Sequence, residues 1–161
     1  MLTVKQIRKL AGRALTDKQL TKEKGAWAGP DVWSNGEIAL FENCPVEEHK
    51  DLMPAFLESL EKVKADGDPF YPVEVLGYSD NRRVIRFTDG AESVFFDGAL
   101  VHTIIKRAGK KDNPQFLKAN WRGTPALLVR EGKPLGLLMP LRGHRLGEPD
   151  WNFAYTGELP A

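Results

Sequence analysis

The sequence contains one cysteine and three histidines, so the residues that most often form disulfides and bind transition metals are scarce. A single cysteine cannot form an intrachain disulfide, and no cysteine-rich zinc site is expected. No apolar run approaches the roughly 18 residues of a membrane span, and the first residues lack the apolar block of a signal peptide. The net charge of +1 excludes a strong field of one sign around the whole molecule. These absences predict a soluble, cytoplasmic protein that does not bind a membrane.

The length and composition are those of a globular protein with a single core. The chain has 161 residues, of which 42% are hydrophobic and 28% are charged. A chain of this size can bury a sizeable core and corresponds to one domain, or to one domain with a tail. We therefore expect one domain over residues 1–142 and a C-terminal aromatic tail over residues 143–161.

Hydrophobic periodicity predicts helices and strands in an order typical of an α+β fold. Apolar residues recur at helical spacing over residues 3–14, 47–65 and 98–108, with Thr3 as the N-cap of the first helix. The polar, lysine-rich segment 17–25 is interpreted as a mobile connection. This order predicts an antiparallel sheet with two to three helices on one face. Strands are predicted within residues 33–41, 73–77, 83–88, 92–96, 115–121, 126–130 and 135–139.

The segment of residues 96–142 runs from the end of a strand through an amphipathic helix into three short strands, and it closes on the sequence LLMPLR. This order resembles the last structural repeat of bacterial DNA polymerase sliding clamps, which end in a similar Met-Pro-hydrophobic-Arg sequence. The resemblance covers about 47 of the 161 residues. It implies a small, sliding-clamp-like domain, and a single-domain relative of this size would be expected on a bacteriophage or mobile element.

The chain departs from the sliding-clamp pattern in three respects. Clamps finish close to the Met-Pro motif, whereas this chain continues over residues 143–161. A clamp polypeptide has three such domains and closes a ring as a dimer, while this chain has length for only one. The predicted helix of residues 47–65 has no obvious counterpart in a clamp repeat. An ordinary α+β domain therefore stays open as the alternative.

The resemblance implies that the helices of residues 3–14 and 98–108 pack side by side on one face of the sheet. Their Lys and Arg side chains would then touch DNA phosphates without reading bases, as those lining the hole of a clamp do. Such contact is independent of sequence and depends steeply on salt. The core residues implied for this packing are Ile7, Leu10, Leu100, Ile104, Leu128 and Leu138. The candidate DNA-backbone residues are Lys5, Arg8, Lys9, Arg13, Lys106, Arg107, Lys110 and Lys111. The alternative is that these side chains form the solvated faces of amphipathic helices, since basic residues are common at helix C-termini.

A second candidate site follows from the resemblance at the end of the last predicted strand. In clamps, the Met-Pro-hydrophobic-Arg residues border an apolar pocket that captures short peptides from polymerases and other partners. The residues that match this motif position by position are Met139, Pro140, Leu141 and Arg142. The alternative is an ordinary core strand.

The tail carries Trp151, Phe153 and Tyr155 at alternate positions. This spacing suits an extended segment that lays one face on an apolar surface. Two interpretations stay open: the tail packs on its own domain, or its aromatic residues form an interface, where such residues are enriched. As an interface, the tail would cover the pocket beside Met139 in the same chain or on a second subunit.

Residues that would support catalysis or metal binding are poorly represented. His49 lies among Glu47, Glu48 and Asp51, but one histidine beside acids on a helix is typical of a solvated face rather than a metal site. No Ser, His and Asp stand at a recognised spacing, and no Gly-rich phosphate loop is present. We therefore predict no catalytic residues, no metal and no cofactor.

The interpretation that accounts for most of these features is a non-catalytic, sliding-clamp-like binding module. Its partner would be duplex DNA, bound weakly and non-specifically, or a host protein. One alternative is an interaction protein that antagonises a host complex such as a defence system. Another is an enzyme of a type that the sequence does not reveal. Homo-oligomerisation, which would turn basic helices of several copies toward one duplex, also stays open.

Overall fold

The computed structural model describes part of the chain, with the backbone alone for the strands at 27–28 and 149–156. The described residues are 1–21, 27–28, 32–42, 44–45, 60, 62–78, 82–107, 115–120, 123–141 and 149–156. Within them, the helices are α1 (Val4–Leu10), α2 (Asp17–Thr21) and α3 (Gly98–Arg107). The strands are β1 (Trp27–Ala28), β2 (Trp33–Ser34), β3 (Ile38–Leu40), β4 (Tyr71–Tyr78), β5 (Arg82–Thr88), β6 (Ser93–Asp97), β7 (Gln115–Lys118), β8 (Ala126–Arg130), β9 (Lys133–Leu138) and β10 (Pro149–Thr156).

The strands form two antiparallel sheets. One has six strands in the order β1-β2-β3-β9-β8-β7, and the other has four strands in the order β10-β4-β5-β6. Neighbouring strands are antiparallel throughout both sheets. The predicted α+β class with antiparallel strands is therefore confirmed, although the strands divide between two sheets rather than one.

Helix α1 is shorter than the predicted helix of residues 3–14. Thr3 is its N-cap as predicted: the Thr3 hydroxyl accepts from the Gln6 N–H at 3.1 Å, and the Gln6 side chain accepts from the Thr3 N–H at 2.9 Å. The helix ends at Leu10 because Gly12 adopts a φ of 90°, a conformation that glycine tolerates and that stops a helix. Arg13 consequently follows the helix instead of lying on it.

Helix α2 lies within the segment that was predicted as a mobile connection, and that prediction is wrong for residues 17–21. Thr16 and Gln19 form a second reciprocal pair at its start, with the Gln19 N–H donating to the Thr16 hydroxyl at 3.2 Å and the Thr16 N–H to the Gln19 side chain at 2.9 Å. Leu20 is fully buried in the core. The Thr-x-x-Gln spacing, followed by Leu20, was the available signal for this helix.

Helix α3 packs across both sheets and beside α1. It contacts β5 and β6 of the four-stranded sheet, β3 and β9 of the six-stranded sheet, and α1. Its buried residues share one core cluster with α1 and with the inner residues of both sheets. As predicted, this cluster contains Ile7, Leu100, Ile104, Leu128 and Leu138, with Leu10 packed against it.

The chain between α1 and α2 contacts α3 through a hydrogen bond to a side chain and through a close approach of the two backbones. The Leu15 N–H donates to the Thr103 hydroxyl at 2.8 Å, and that hydroxyl donates to the Ala99 carbonyl at 2.7 Å. At Gly98 the backbones approach so closely that an added Cβ would lie 2.5 Å from the Ala11 carbonyl oxygen. These contacts fix the position of α1 relative to α3.

The six-stranded sheet is also buried on its outer face. A second apolar cluster includes Ala39, Leu127 and Leu137 of the sheet and Leu60, which is 3% exposed. The predicted helix of residues 47–65 lies mostly outside the described residues, but residues 62–65 are not helical. Leu60 thus brings the connection between β3 and β4 against this face.

The chain leaves β9 toward the four-stranded sheet. The Met139 N–H donates to the Glu37 carbonyl at 2.9 Å, and the Leu141 N–H donates to the Phe95 carbonyl of β6 at 2.8 Å. Residues 149–156, which were assigned to a tail by sequence, form β10 and pair with β4. Strand β10 is one edge of that sheet and β6 is the other. This part of the predicted tail is therefore an element of the fold.

An ion pair joins the two sheets at the turn after β5. Asp89 accepts the N–H groups of Ala91 and Glu92, both at 2.8 Å, and lies 3.1 Å from the ammonium of Lys118 on β7. The two backbone hydrogen bonds and Lys118 lower the pKa of Asp89 from 3.8 to about 2. The hydrogen bond from Glu92 has the largest effect on this pKa. The folded state therefore favours the ionised carboxylate.

Protonation of Asp89 is expected to reduce stability in acid. Because its pKa is lower in the folded state, its stabilising effect is complete above about pH 4 and is lost as the pH falls toward 2. Asp89→Asn keeps an oxygen that can accept the turn hydrogen bonds but carries no charge. It should lower the midpoint of urea unfolding at pH 7 and flatten the decline between pH 4 and 2. Asp66→Asn, at an exposed carboxylate, is the control for the loss of one carboxylate.

Candidate functional site

A cationic cleft lies where the end of α1 meets α3. Its volume is about 360 Å³, and it is lined by Arg8, Arg13, Ala14, His102 and Lys106. Among these lining residues none is acidic. The cleft therefore concentrates positive charge in a chain whose net charge is only +1.

Local backbone structure brings these side chains together. Arg8 lies in the last turn of α1, and Arg13 directly follows Gly12, where the chain turns and contacts α3. His102 and Lys106 are four residues apart on α3, which places them on one face of the helix. His102 Nδ1 donates to the Gly12 carbonyl at 2.7 Å, because a carbonyl oxygen can only accept. This bond fixes the imidazole as one wall of the cleft, and Nε2 takes no part in the bond.

The guanidinium of Arg8 is incompletely satisfied. Its Nε and Nη2 atoms are buried, and within the described part of the chain they have no hydrogen-bond partner. Arginine stays charged at any pH a protein tolerates. Buried donors without acceptors raise the free energy of the folded state, and more so when the group is charged.

The remaining DNA-backbone candidates lie elsewhere. Lys5 and Lys9 are exposed on α1 but do not line the cleft. Arg107 pairs with Asp17 of α2, and its side chain is only 15% exposed. Burial lowers the pKa of Arg107. Its ion pair with Asp17 links α3 to α2, and Arg107 does not line the cleft. Lys110 and Lys111 lie outside the described residues.

An apolar groove lies on the outer face of the six-stranded sheet, beside the end of β9. Its volume is about 170 Å³. Met139 is the residue of the sequence-predicted pocket that lines it, whereas Pro140 and Leu141 are half-buried outside it, and Arg142 lies beyond the described residues. The residues lining the groove are Ser34, Gly36, Ile38, Ala39, Leu60, Leu137 and Met139.

Part of the aromatic tail is a strand of the four-stranded sheet and not of the sheet that carries the groove. Trp151, Phe153 and Tyr155 belong to β10, which pairs with β4 in the four-stranded sheet. The groove is on the six-stranded sheet. Of these three aromatic residues the structure describes only the backbone. Residues 149–156 thus form an edge strand of the four-stranded sheet, and the covering of the groove by the tail stays a prediction.

Two kinds of site are absent from the described residues, a metal cluster and a membrane-spanning helix. The described part of the chain contains no group of three or more His, Cys, Asp or Glu residues that could hold a metal ion. Over that same part, none of the helices is both long and apolar enough to cross a membrane. His49 and its acidic neighbours lie outside it. Comparison of the chain with protein-family models, curated proteins and solved structures found no match.

Proposed function

We propose that the chain is a non-catalytic, sliding-clamp-like binding module that contacts the phosphate backbone of duplex DNA through its basic helices. The observation that carries the proposal is the cationic cleft, in which Arg8, Arg13 and Lys106 converge from two segments of the chain. The shared core of α1 and α3 adds support, since the resemblance to sliding clamps implies two helices side by side. An origin on a bacteriophage or mobile element belongs to the same proposal.

The physical basis of this binding is the release of counterions from DNA. Each neutralised phosphate contributes roughly −0.9 to the slope of log affinity against log salt, so three cations give a slope of about −3. Affinities for non-specific DNA are typically about 10⁻⁴ to 10⁻⁶ M at physiological salt. Because phosphate contacts carry no base information, two unrelated duplexes should bind equally well.

The test is charge reversal of the cleft. Arg8→Glu, Arg13→Glu and Lys106→Glu combined should abolish binding of a fluorescent duplex at about 50 mM salt, because the cleft then repels phosphate. The matched control is Lys62→Glu, Lys64→Glu and Lys133→Glu, which changes net charge equally at exposed positions away from the cleft. Circular dichroism checks that both variants fold. Equal weakening by both sets, or no binding by the unaltered protein, would contradict the proposal.

A second candidate function is an interaction protein that antagonises a host complex such as a defence system. The observation that favours it is the apolar groove beside Met139, since apolar concavities are typical peptide-binding surfaces. Met139→Glu would place a charge at the groove while its N–H can still donate to the Glu37 carbonyl. A partner recovered from host lysate should be lost with this variant and retained by the cleft variant.

A further inference from the structure

The burial of its guanidinium nitrogens distinguishes Arg8 from the other cations of the cleft. Two of its guanidinium nitrogens, Nε and Nη2, are buried without a partner in the described part of the chain, although Arg8 lines an open cleft. Lys106 and Arg13 are exposed, so water solvates their charges. The free protein therefore carries an unsatisfied, charged donor pair on a residue that lines the cleft.

The Nε and Nη2 atoms form the edge of a guanidinium that matches two oxygens of a phosphate group. Bidentate pairs of this kind are among the strong, charge-assisted hydrogen bonds, and their geometry cannot be reproduced by lysine. A phosphate in the cleft would give this edge the acceptors that it lacks, once the side chain turns the edge toward the cleft. Binding would then remove a cost that is present in the free state.

We propose that the cleft contains a seat for one phosphate group, formed when the Nε–Nη2 edge of Arg8 turns toward the cleft. This inference rests on the proposed DNA contact and specifies the group that makes it. Lys106 and Arg13 supply further positive charge at the two sides, and the hydrogen bond from His102 to Gly12 holds the wall of the seat in place. The cleft, with a volume of about 360 Å³, is larger than one phosphate group.

The chemistry recognised is a phosphate, which can be a diester within a DNA strand, a monoester at a strand end, or free phosphate. Three probes separate these sources: inorganic phosphate, a duplex with 5′-hydroxyl ends, and the same duplex with 5′-phosphate ends. If a diester is recognised, the two duplexes should bind equally. Stronger binding of the 5′-phosphorylated duplex would mean that the seat binds the phosphate at a strand end. It would contradict binding of a phosphodiester within the strand.

The variants compare two arginines of the same cleft. Arg8→Lys keeps the charge but removes the bidentate edge, so it should weaken binding of inorganic phosphate and of duplex about tenfold. Arg13→Lys is the matched control and should change the affinities for inorganic phosphate and for duplex less than about threefold. Arg13 is expected to act through its charge alone, and lysine carries the same charge. Thermal unfolding checks that both variants fold.

Nuclear magnetic resonance of arginine Nε–H groups provides a readout in the unaltered protein. The Arg8 signal, identified by its absence in Arg8→Lys, should shift on titration with inorganic phosphate, and the shift should saturate. The seat is wrong if duplex binds without shifting this signal and if Arg8→Lys and Arg13→Lys bind duplex with equal affinity. The proposed function would be unaffected by that result. A saturating shift with phosphate, in a protein that binds no duplex, would support the seat and overturn the proposed function.

Discussion

Replacing Gly98 by alanine is expected to destabilise the protein and to disrupt the cationic cleft without removing any charge. An added Cβ would lie 2.5 Å from the Ala11 carbonyl oxygen and 2.9 Å from the Arg83 carbonyl oxygen. Both are main-chain atoms that cannot rotate away, so α3 must move from α1 or from β5. Overpacking of this kind typically costs about 1–3 kcal/mol, and urea unfolding would measure it.

The effect of Gly98→Ala on DNA binding tests whether the cleft acts as one surface. Arg8 and Arg13 come from one side of the helix pair and Lys106 from the other, so separation of α1 from α3 should weaken duplex binding. Gly123→Ala is the control. Apart from Gly123 and its chain neighbours, no atom of the described residues lies within 4 Å of its added Cβ, but Gly123 has a φ of 83°. That variant should lose about 1–2 kcal/mol through backbone strain alone and should bind duplex normally. Unchanged duplex binding by a folded Gly98→Ala protein would mean that the cations act as dispersed charge.

Local patterns in the sequence predicted most of the helices and strands. Helix α3 and strand β8 were predicted to within one residue, because each is a periodic or apolar segment bounded by turn residues. Helix α1 was predicted too long, since apolar periodicity continues past Gly12 while the backbone does not. Helix α2 was missed because its polar composition outweighed the capping signal at Thr16.

The division into two sheets could not be predicted from such patterns. Strand β3 pairs with β9 and strand β4 pairs with β10, and both pairings join segments far apart in the chain. Alternation of apolar residues shows that a strand has a buried face but not which strand lies beside it. Burial of the outer face of the six-stranded sheet depends on Leu60, a long-range contact of the same kind.

The candidate site was predicted as a set of charges rather than as a cleft. The sequence placed eight basic residues on two helices, but it could not show that Arg107 pairs with Asp17 or that α1 ends before Arg13. His102 was missed as a cleft residue, although its spacing of four from Lys106 was a usable signal. Pairing and burial decide which charges can reach a ligand, and both depend on tertiary contacts.

Truncating Ile104 to alanine is expected to give the largest loss of stability. Ile104 is 1% exposed at the centre of α3, in the core cluster that joins both helices to both sheets. Removal of a buried isoleucine side chain costs about 2–5 kcal/mol, the range depending on how far the surroundings collapse into the cavity. Chemical unfolding should show this as a lower midpoint with an unchanged slope. A loss below about 1 kcal/mol would contradict the central position of Ile104 in the core.

Gly136 of β9 provides a double-mutant test of that contact. A Cβ at Gly136 would lie 2.5 Å from Ile104 Cδ1 and 2.8 Å from Cγ1, so Gly136→Ala alone should overpack the core. In Ile104→Ala both of these atoms are absent, and the new methyl group would occupy part of the cavity. It would still lie 3.0 Å from the Ala39 carbonyl oxygen, which limits the recovery. The double variant should therefore be more stable than the sum of the two single losses predicts, with a coupling of about 0.5–3 kcal/mol. Additive losses would mean that α3 does not sit over Gly136, and the packing of this helix across both sheets would then be wrong.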